Sequence, residues 1–511
     1  MIGHCVIHEQ KKLSGVSGSL GTYISLIYSR NNVNPHLITW NGPHDLSNPF
    51  NWPPRKKWRV TSLSLLASFI CSMNGTILSP AYPTITTELD LLNGTIPTTC
   101  WFTATWGIGA ALLPLFLFPI MEDFGIRRVF LCTYFLFTLT LIPVGLSSNF
   151  HLLLFLRLLS GGCVPIISDA AASTLSNLFS GEKARSLPTA LYVGTYLYAT
   201  SLGPVVGAAI LQFRDWRWIA HVECICTAAL FPAFVIGMPE TRGTAILRGR
   251  ARELRRKGKG AYTAEEIGVK NWNSRDVMTS IRRPILMLLI EPVVFISALW
   301  AAYSLGTIYL FTQSVEQVYG TAYGFSPIQA GYVQGAIVIG EVLGCGLPLF
   351  MERLNQCPSP PIPEARLYPS IIGGFIGVTG GMLVFAWTAS PQIHWIAPTT
   401  GLLMVGFGTT AVITSIANYL IDAYSKYAAS ALGAVGLVEN TAIAFLPLAS
   451  KAMYTDLEFW WASSLLGFVS LGLVVMPCFV VKWGNEIRAR SSFMKEVEGD
   501  GSADADPEHE V

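Results

Sequence analysis

Six stretches of this chain run for at least about 20 residues without a single Asp, Glu, Lys or Arg: Val60–Thr87, Pro97–Met121, Val129–Ser148, Ser186–Phe213, Pro292–Val315 and Phe459–Val481. A helix of about that length crosses the hydrocarbon core of a bilayer, and buried strands or core helices of soluble domains are shorter. The interval Leu367–Ile421 also lacks all four residue types and is long enough for two spans folded at Ser390-Pro391-Gln392. Four further stretches carry one or two charges each: Phe150–Leu175, Trp218–Met238, Phe325–Met351 and Tyr427–Ser450. Twelve membrane-spanning helices are expected.

Composition agrees. Of 511 residues, 51% are hydrophobic and only 13% charged, against about 25% charged in soluble chains. A net charge of +2 lacks the basic surface that a nucleic-acid binder needs. The ten cysteines lie mostly inside apolar runs and read as soft packing residues. No His-rich metal cluster or paired catalytic constellation appears, so neither an enzyme, a metal site nor a cofactor is expected.

Orientation follows from Lys and Arg near the span ends. Arg55, Lys56, Lys57 and Arg59 precede span 1, Arg127 and Arg128 separate spans 2 and 3, and Lys183 and Arg185 separate spans 4 and 5. The alternate loops are poorer in cations, except the one holding Arg214 and Arg217. Both termini are therefore expected in the cytoplasm. The connection Pro239–Arg283 holds twelve Lys/Arg against five acids. It suits an anionic leaflet or serves as a solvated orientation signal, and it divides the spans six and six. The expected organisation is a cytoplasmic segment 1–57, a six-helix half 58–238, a basic linker 239–283, a second half 284–483 and an acidic tail 484–511. Asn93-Gly94-Thr95 is a glycosylation acceptor in a loop that this orientation places outside, so Asn93 is expected to be modified.

Several short runs resemble the major facilitator superfamily, and more narrowly the fungal twelve-span drug:proton antiporters. Glu122-Asp123-Phe124-Gly125-Ile126-Arg127-Arg128 is similar to the superfamily's motif between spans 2 and 3. Phe118 stands there in place of the leading glycine, and Ile126 in place of the first arginine. The resemblance implies a cytoplasmic latch built from Glu122, Gly125, Arg127 and Arg128. Arg157-Leu158-Leu159-Ser160-Gly161 is similar to a span 4 motif whose arginine is associated with proton coupling. Gly203-Pro204-Val205-Val206-Gly207 resembles the antiporter motif of span 5, whose small residues let helix backbones touch. Trp40-Asn41-Gly42-Pro43-His44-Asp45, Pro239-Glu240-Thr241 and Glu291-Pro292 are similar to further runs of the fungal family. Where that family usually shows an arginine in span 11, this chain has Glu439. The resemblance implies two halves rocking around a central cavity of a plasma-membrane exporter, with drugs, fungicides, polyamines or a toxin as cargo. An uptake permease and a transporter-like receptor are the alternatives. A monomer is expected.

Charges inside the spans are costly and mark function by default. They are Asp169, Glu223, Glu291, Glu341, Glu439 and Arg157. Glu291 lies eight residues beyond Arg283, roughly 12 Å along a continuous helix, which would put it well inside the membrane. Glu291 and Asp169 are expected to carry the proton with Arg157 adjusting them, and Glu439 to meet the substrate. Bracing of the helix at Pro292 is the other reading of Glu291, and a tie to backbone carbonyls that of Arg157. Glu223 and Glu341, nearer the span ends, are expected to touch water. Tyr192, Tyr196, Trp300 and Tyr303 are candidates to line the cavity. The acid excess suits cationic or neutral amphipathic cargo.

Overall fold

The computed structural model describes residues 36–90, 100–258, 260–263, 266, 274–354, 363–424, 427–491 and 493. Asn93, the first 35 residues and the end of the tail, 494–511, lie outside them. Eleven helices among the described residues are long and apolar enough to cross a membrane.

A twelfth crossing is made by span 1, which is interrupted. Its helix Pro54–Met73 stops at Asn74-Gly75, and the chain turns before a short 3-10 helix, Ser79–Ala81, and a last helix, Tyr82–Glu88. Pro80 and Pro83 reinforce the break by removing backbone donors. Irregular backbone at membrane depth is tolerated only where protein covers it, and Asn74, Thr76 and Ile77 are all buried.

The first half continues with span 2 (Cys100–Phe124), span 3 (Ile126–Leu146), span 4 (Phe150–Leu178), span 5 (Glu182–Leu211) and span 6 (Arg217–Gly237). The second half holds span 7 (Pro292–Tyr323) and span 8, built from Pro327–Val333 and Gly335–Leu354. Span 9 joins Tyr368–Ile372, a π-helical stretch Gly373–Thr379 and Gly380–Thr388. Spans 10, 11 and 12 are Ile396–Tyr424, Ala428–Asp456 and Glu458–Arg490. Each half has its own apolar core. That of the second half runs from Met287 to Val480; that of the first also takes in Leu305, Tyr309 and Ile443, where spans 7 and 11 press against it.

Two expectations change at the membrane edge. Span 7 does not extend back to Pro284. Residues Ser274–Ile290 form a separate helix, and Glu291 is extended between it and Pro292, with φ −94° and ψ 106°. The residue before a proline is pushed out of the helical region, so the chain breaks there and Glu291 is not carried inward. The separate helix leaves Met278, Leu289 and Ile290 exposed.

The basic linker is not simply a solvated charge run. Strand β1 (His36–Ile38) pairs in parallel with β2 (Ala261–Thr263). The linker helix Gly243–Arg256 sends Arg250 to Asp45 at 3.2 Å and over the Trp40 ring at 5.7 Å. Backbone N–H groups of Ser47 and Asn41, together with Arg250, hold the Asp45 carboxyl below the usual carboxylate range. Arg255 pairs with Glu266 at 2.8 Å. Arg252, Arg256 and Lys257 remain exposed. The pre-span segment and the linker thus form one cap at the end of the bundle that carries both.

Candidate functional site

Breaking span 1 leaves the carbonyls of Asn74 and Gly75 without helical partners, and Arg157 of span 4 takes them. Its guanidinium donates to the Asn74 carbonyl at 2.7 Å, the Asn74 Oδ1 at 3.1 Å and the Gly75 carbonyl at 3.0 Å. Only 1% of Arg157 is exposed. Asn74 is the hub: its Oδ1 also accepts from Trp106 Nε1 at 3.0 Å, and its amide donates to Glu223 Oε2 at 3.0 Å. Glu223 is therefore buried in the first half and does not touch water as expected. It is also the acid nearest in electrostatic effect to Arg157. Asp169, twelve residues further along span 4, is roughly 18 Å away, so Arg157 does not adjust it. The tie to backbone carbonyls describes this arginine better.

A second group sits where the halves face each other. Asp169 of span 4 acts electrostatically on Glu439 of span 11, and the Tyr192 and Tyr196 hydroxyls of span 5 feel both. All four side chains are half-buried. Trp300 and Tyr303 are not part of this group. Trp300 donates to Ser370 Oγ of span 9 at 3.2 Å and stacks on Tyr303. Tyr303 donates to the Leu466 carbonyl of span 12. Both are core residues of the second half, because span 7 turns that face toward its own neighbours.

Glu291 accepts from the Tyr424 hydroxyl at 3.1 Å and the Ser491 hydroxyl at 2.8 Å. These partners tie Glu291 to the ends of spans 10 and 12. Glu341 is fully buried, again contrary to expectation, and accepts from Ser201 of span 5 at 2.6 Å.

The span 5 motif meets the break in span 1. A Cβ built at Gly207 would overlap the Ile77 carbonyl oxygen, and one at Gly203 would overlap Thr76 Oγ1. Thr76 Oγ1 donates to the Thr200 carbonyl at 2.5 Å. On its other side the motif touches span 8, where Gly331 lies against Ala208 and the Pro204 carbonyl.

The corner between spans 2 and 3 is held differently from the expected arginine latch. Gly125 has φ 91°, and the carboxylate of Glu240 lies where its side chain would be. That carboxylate accepts from the backbone N–H of Ile126, Arg127, Thr241 and Arg242 at 2.9–3.2 Å. It caps span 3, where an anion also complements the helix dipole. The Arg127 guanidinium goes to the Val235 carbonyl at 2.8 Å and Arg128 is exposed; the Glu122 side chain lies outside the described set. Glu240→Ala is expected to lower the stability of the purified protein by about 1–2 kcal/mol, read as a drop in thermal midpoint. An unchanged midpoint would remove the capping role.

At the outer end, opposite the linker, Trp216 Nε1 and Arg217 hold the Glu88 carboxylate and keep it below its ordinary range. The halves are bonded there through Cys100 to Gln313 at 2.8 Å and Tyr332 to Gln212 at 2.9 Å. Sequence reading missed Asn74, Tyr309 and the partnership of Ser201. Tyr309 of span 7 stacks on Trp106, and its hydroxyl lies 2.7 Å from where a Gly75 Cβ would be. The available signal was an Asn-Gly pair inside an otherwise apolar span.

Two six-helix halves and an interrupted first helix are the architecture of a membrane transporter. The chain belongs to the major facilitator superfamily, whose family model, described as Major Facilitator Superfamily, matches residues 64–447. It is 30% identical over 471 residues to the MFS transporter cpaT of Aspergillus oryzae, covering 90% of this chain and 93% of that protein. It is 27% identical to the efflux pump radE of Floropilus chiversii, over 90% and 86% of the two chains. With the cycloheximide resistance protein of Candida maltosa it shares 29%, over 89% and 86%. Among solved structures, the human organic anion transporter MFSD10 (TETRAN) matches with a TM-score of 0.58 at 16% identity, covering 84% of this chain and 100% of that one. That likeness concerns the fold.

Proposed function

We propose that this transporter exports small amphipathic organic compounds, cationic or neutral, in exchange for protons across the fungal plasma membrane, with both termini cytoplasmic. What supports the reading is that Asp169 and Glu439, one from each half, lie near enough to interact electrostatically with each other and with Tyr192 and Tyr196, as residues of one cavity would. Two carboxylates in one cavity repel each other, and either a proton or an organic cation relieves the repulsion. One pair can then exchange the first for the second. Relatives named as an efflux pump and a cycloheximide resistance protein support the export direction. A single chain supplies both acids, so a monomer suffices. Glu291 takes the bracing role, through Tyr424 and Ser491.

The test is pH-gradient-driven flux of a cationic drug in proteoliposomes, beside equilibrium binding. Asp169→Asn should lose uphill export and keep binding, because an amide cannot exchange a proton. Glu439→Gln should change which compounds are moved, since it alters cavity charge. Wild-type uphill flux from Asp169→Asn would end the proton assignment.

A further inference from the structure

Between the halves, spans 5 and 8 lie antiparallel and touch along most of their length. Cys345 approaches the Ala190 carbonyl at 3.7 Å toward the linker end, Ser201 meets Glu341 near the middle, and Tyr332 meets Gln212 at the outer end. The middle contact is unusual. Glu341 has no exposed surface, Ser201 gives it one hydrogen bond through Oε1, and its Oε2 is buried with no donor. An ionised carboxylate in such a place would leave an oxygen unpaired in a dry contact, the most costly arrangement for a buried polar group. A neutral acid fits it.

Among the described residues, the surrounding elements bring no cation to Glu341. Span 5 presents Tyr198, which feels Glu341 and Cys345. Span 10 presses its backbone at Leu403 and Phe407 onto Gly340 and Gly344 of span 8. Tyr332, on the short helix ahead of span 8, is engaged with Gln212, and Tyr368 of span 9 is exposed.

We propose that Glu341 is a proton-binding site governing the separation of spans 5 and 8: the neutral acid holds the contact with Ser201, and loss of the proton parts the outer end. This rests on the transport reading only in assuming that the halves separate. The carboxyl O–H bond breaks, the proton leaves to water, and the carboxylate is hydrated in the gap that opens. The outer bond between Tyr332 and Gln212 is the next to yield.

The test uses the full chain in nanodiscs, without substrate. Spin labels are placed at Phe213→Cys, just past span 5, and Ile339→Cys in span 8, both on exposed side chains, after Cys5, Cys132, Cys226 and Cys357 are changed to Ser. Raising the pH should lengthen the label distance in the parent protein. Glu341→Gln, which keeps the Ser201 bond and cannot ionise, should stay at the short distance at every pH and lose an infrared band of a protonated carboxyl. Ser201→Ala removes the hydrogen bond that the neutral acid keeps across the closed contact, so the spans should part at a pH lower by about one unit. An identical pH response in Glu341→Gln, or a parent protein that shows neither movement nor the band, overturns the proposal. Because neither readout needs flux, failure of proton-driven export leaves this result standing, and the reverse also holds.

Discussion

Gly207→Ala is expected to abolish most transport while leaving the protein folded and inserted. The single added carbon would overlap the Ile77 carbonyl oxygen, a backbone atom that no change of rotamer can move. Gly203→Val acts at the neighbouring turn, where it meets Thr76 Oγ1 and stands 3.0 Å from the Ile77 nitrogen and the Met73 carbonyl. Thr76 would also lose its bond to the Thr200 carbonyl. Overpacking of this kind costs about 1–3 kcal/mol, equivalent to about 5- to 150-fold in the population of the state that contains the contact. Fold survives because each half keeps its own apolar core. The measurement is uphill flux normalised to surface expression. Wild-type flux from both variants would show that close approach of spans 1 and 5 has no part in the cycle.

Arg157→Met should destabilise the protein more than any other single change considered. It strands the carbonyls of Asn74 and Gly75 in a buried break and leaves Glu223 without its compensating charge. Removing one partner of a buried charge network costs about 3–5 kcal/mol. Arg157→Lys should recover little, since one ammonium cannot reproduce a planar fork reaching two successive carbonyls. The double variant Arg157→Met with Glu223→Gln should regain part of the loss, because the uncompensated acid is gone. Thermal midpoints of the four proteins form the cycle. Additive losses would show that Arg157 and Glu223 do not share a network, and a wild-type midpoint for Arg157→Met would remove its role in holding the break.

Much of the architecture was legible in the order of residues. The absence of charge over lengths that match a bilayer determines where the spans lie, since burying an unpaired charge in hydrocarbon is prohibitive. The Gly203-Pro204 and Gly207 spacing marked a close helix contact, and the structure supplies its partner in span 1. Asp169 and Glu439 stood out as charges in the middle of helices, and Asp169 lies near enough to act electrostatically on Glu439.

Other positions gave no such warning. Glu291 read as deep because helical continuity was assumed through Pro292, and the extended residue before that proline returns it to the bundle end. Trp300 and Tyr303 read as cavity residues from their type alone, yet the rotation of span 7 packs them into its own half. Asn74 is one polar residue inside an otherwise apolar span and is the junction of spans 1, 2, 4 and 6. By itself the sequence determined how many times the chain crosses the membrane and which side chains are too costly to be there without purpose. Solvent transfer depends on each segment alone, so that much is a one-dimensional property. Which acid meets Arg157, which meets the other half and which only braces a helix end were decided by tertiary structure. Those outcomes depend on helix rotation and breaks, and both follow from packing among segments distant in the chain.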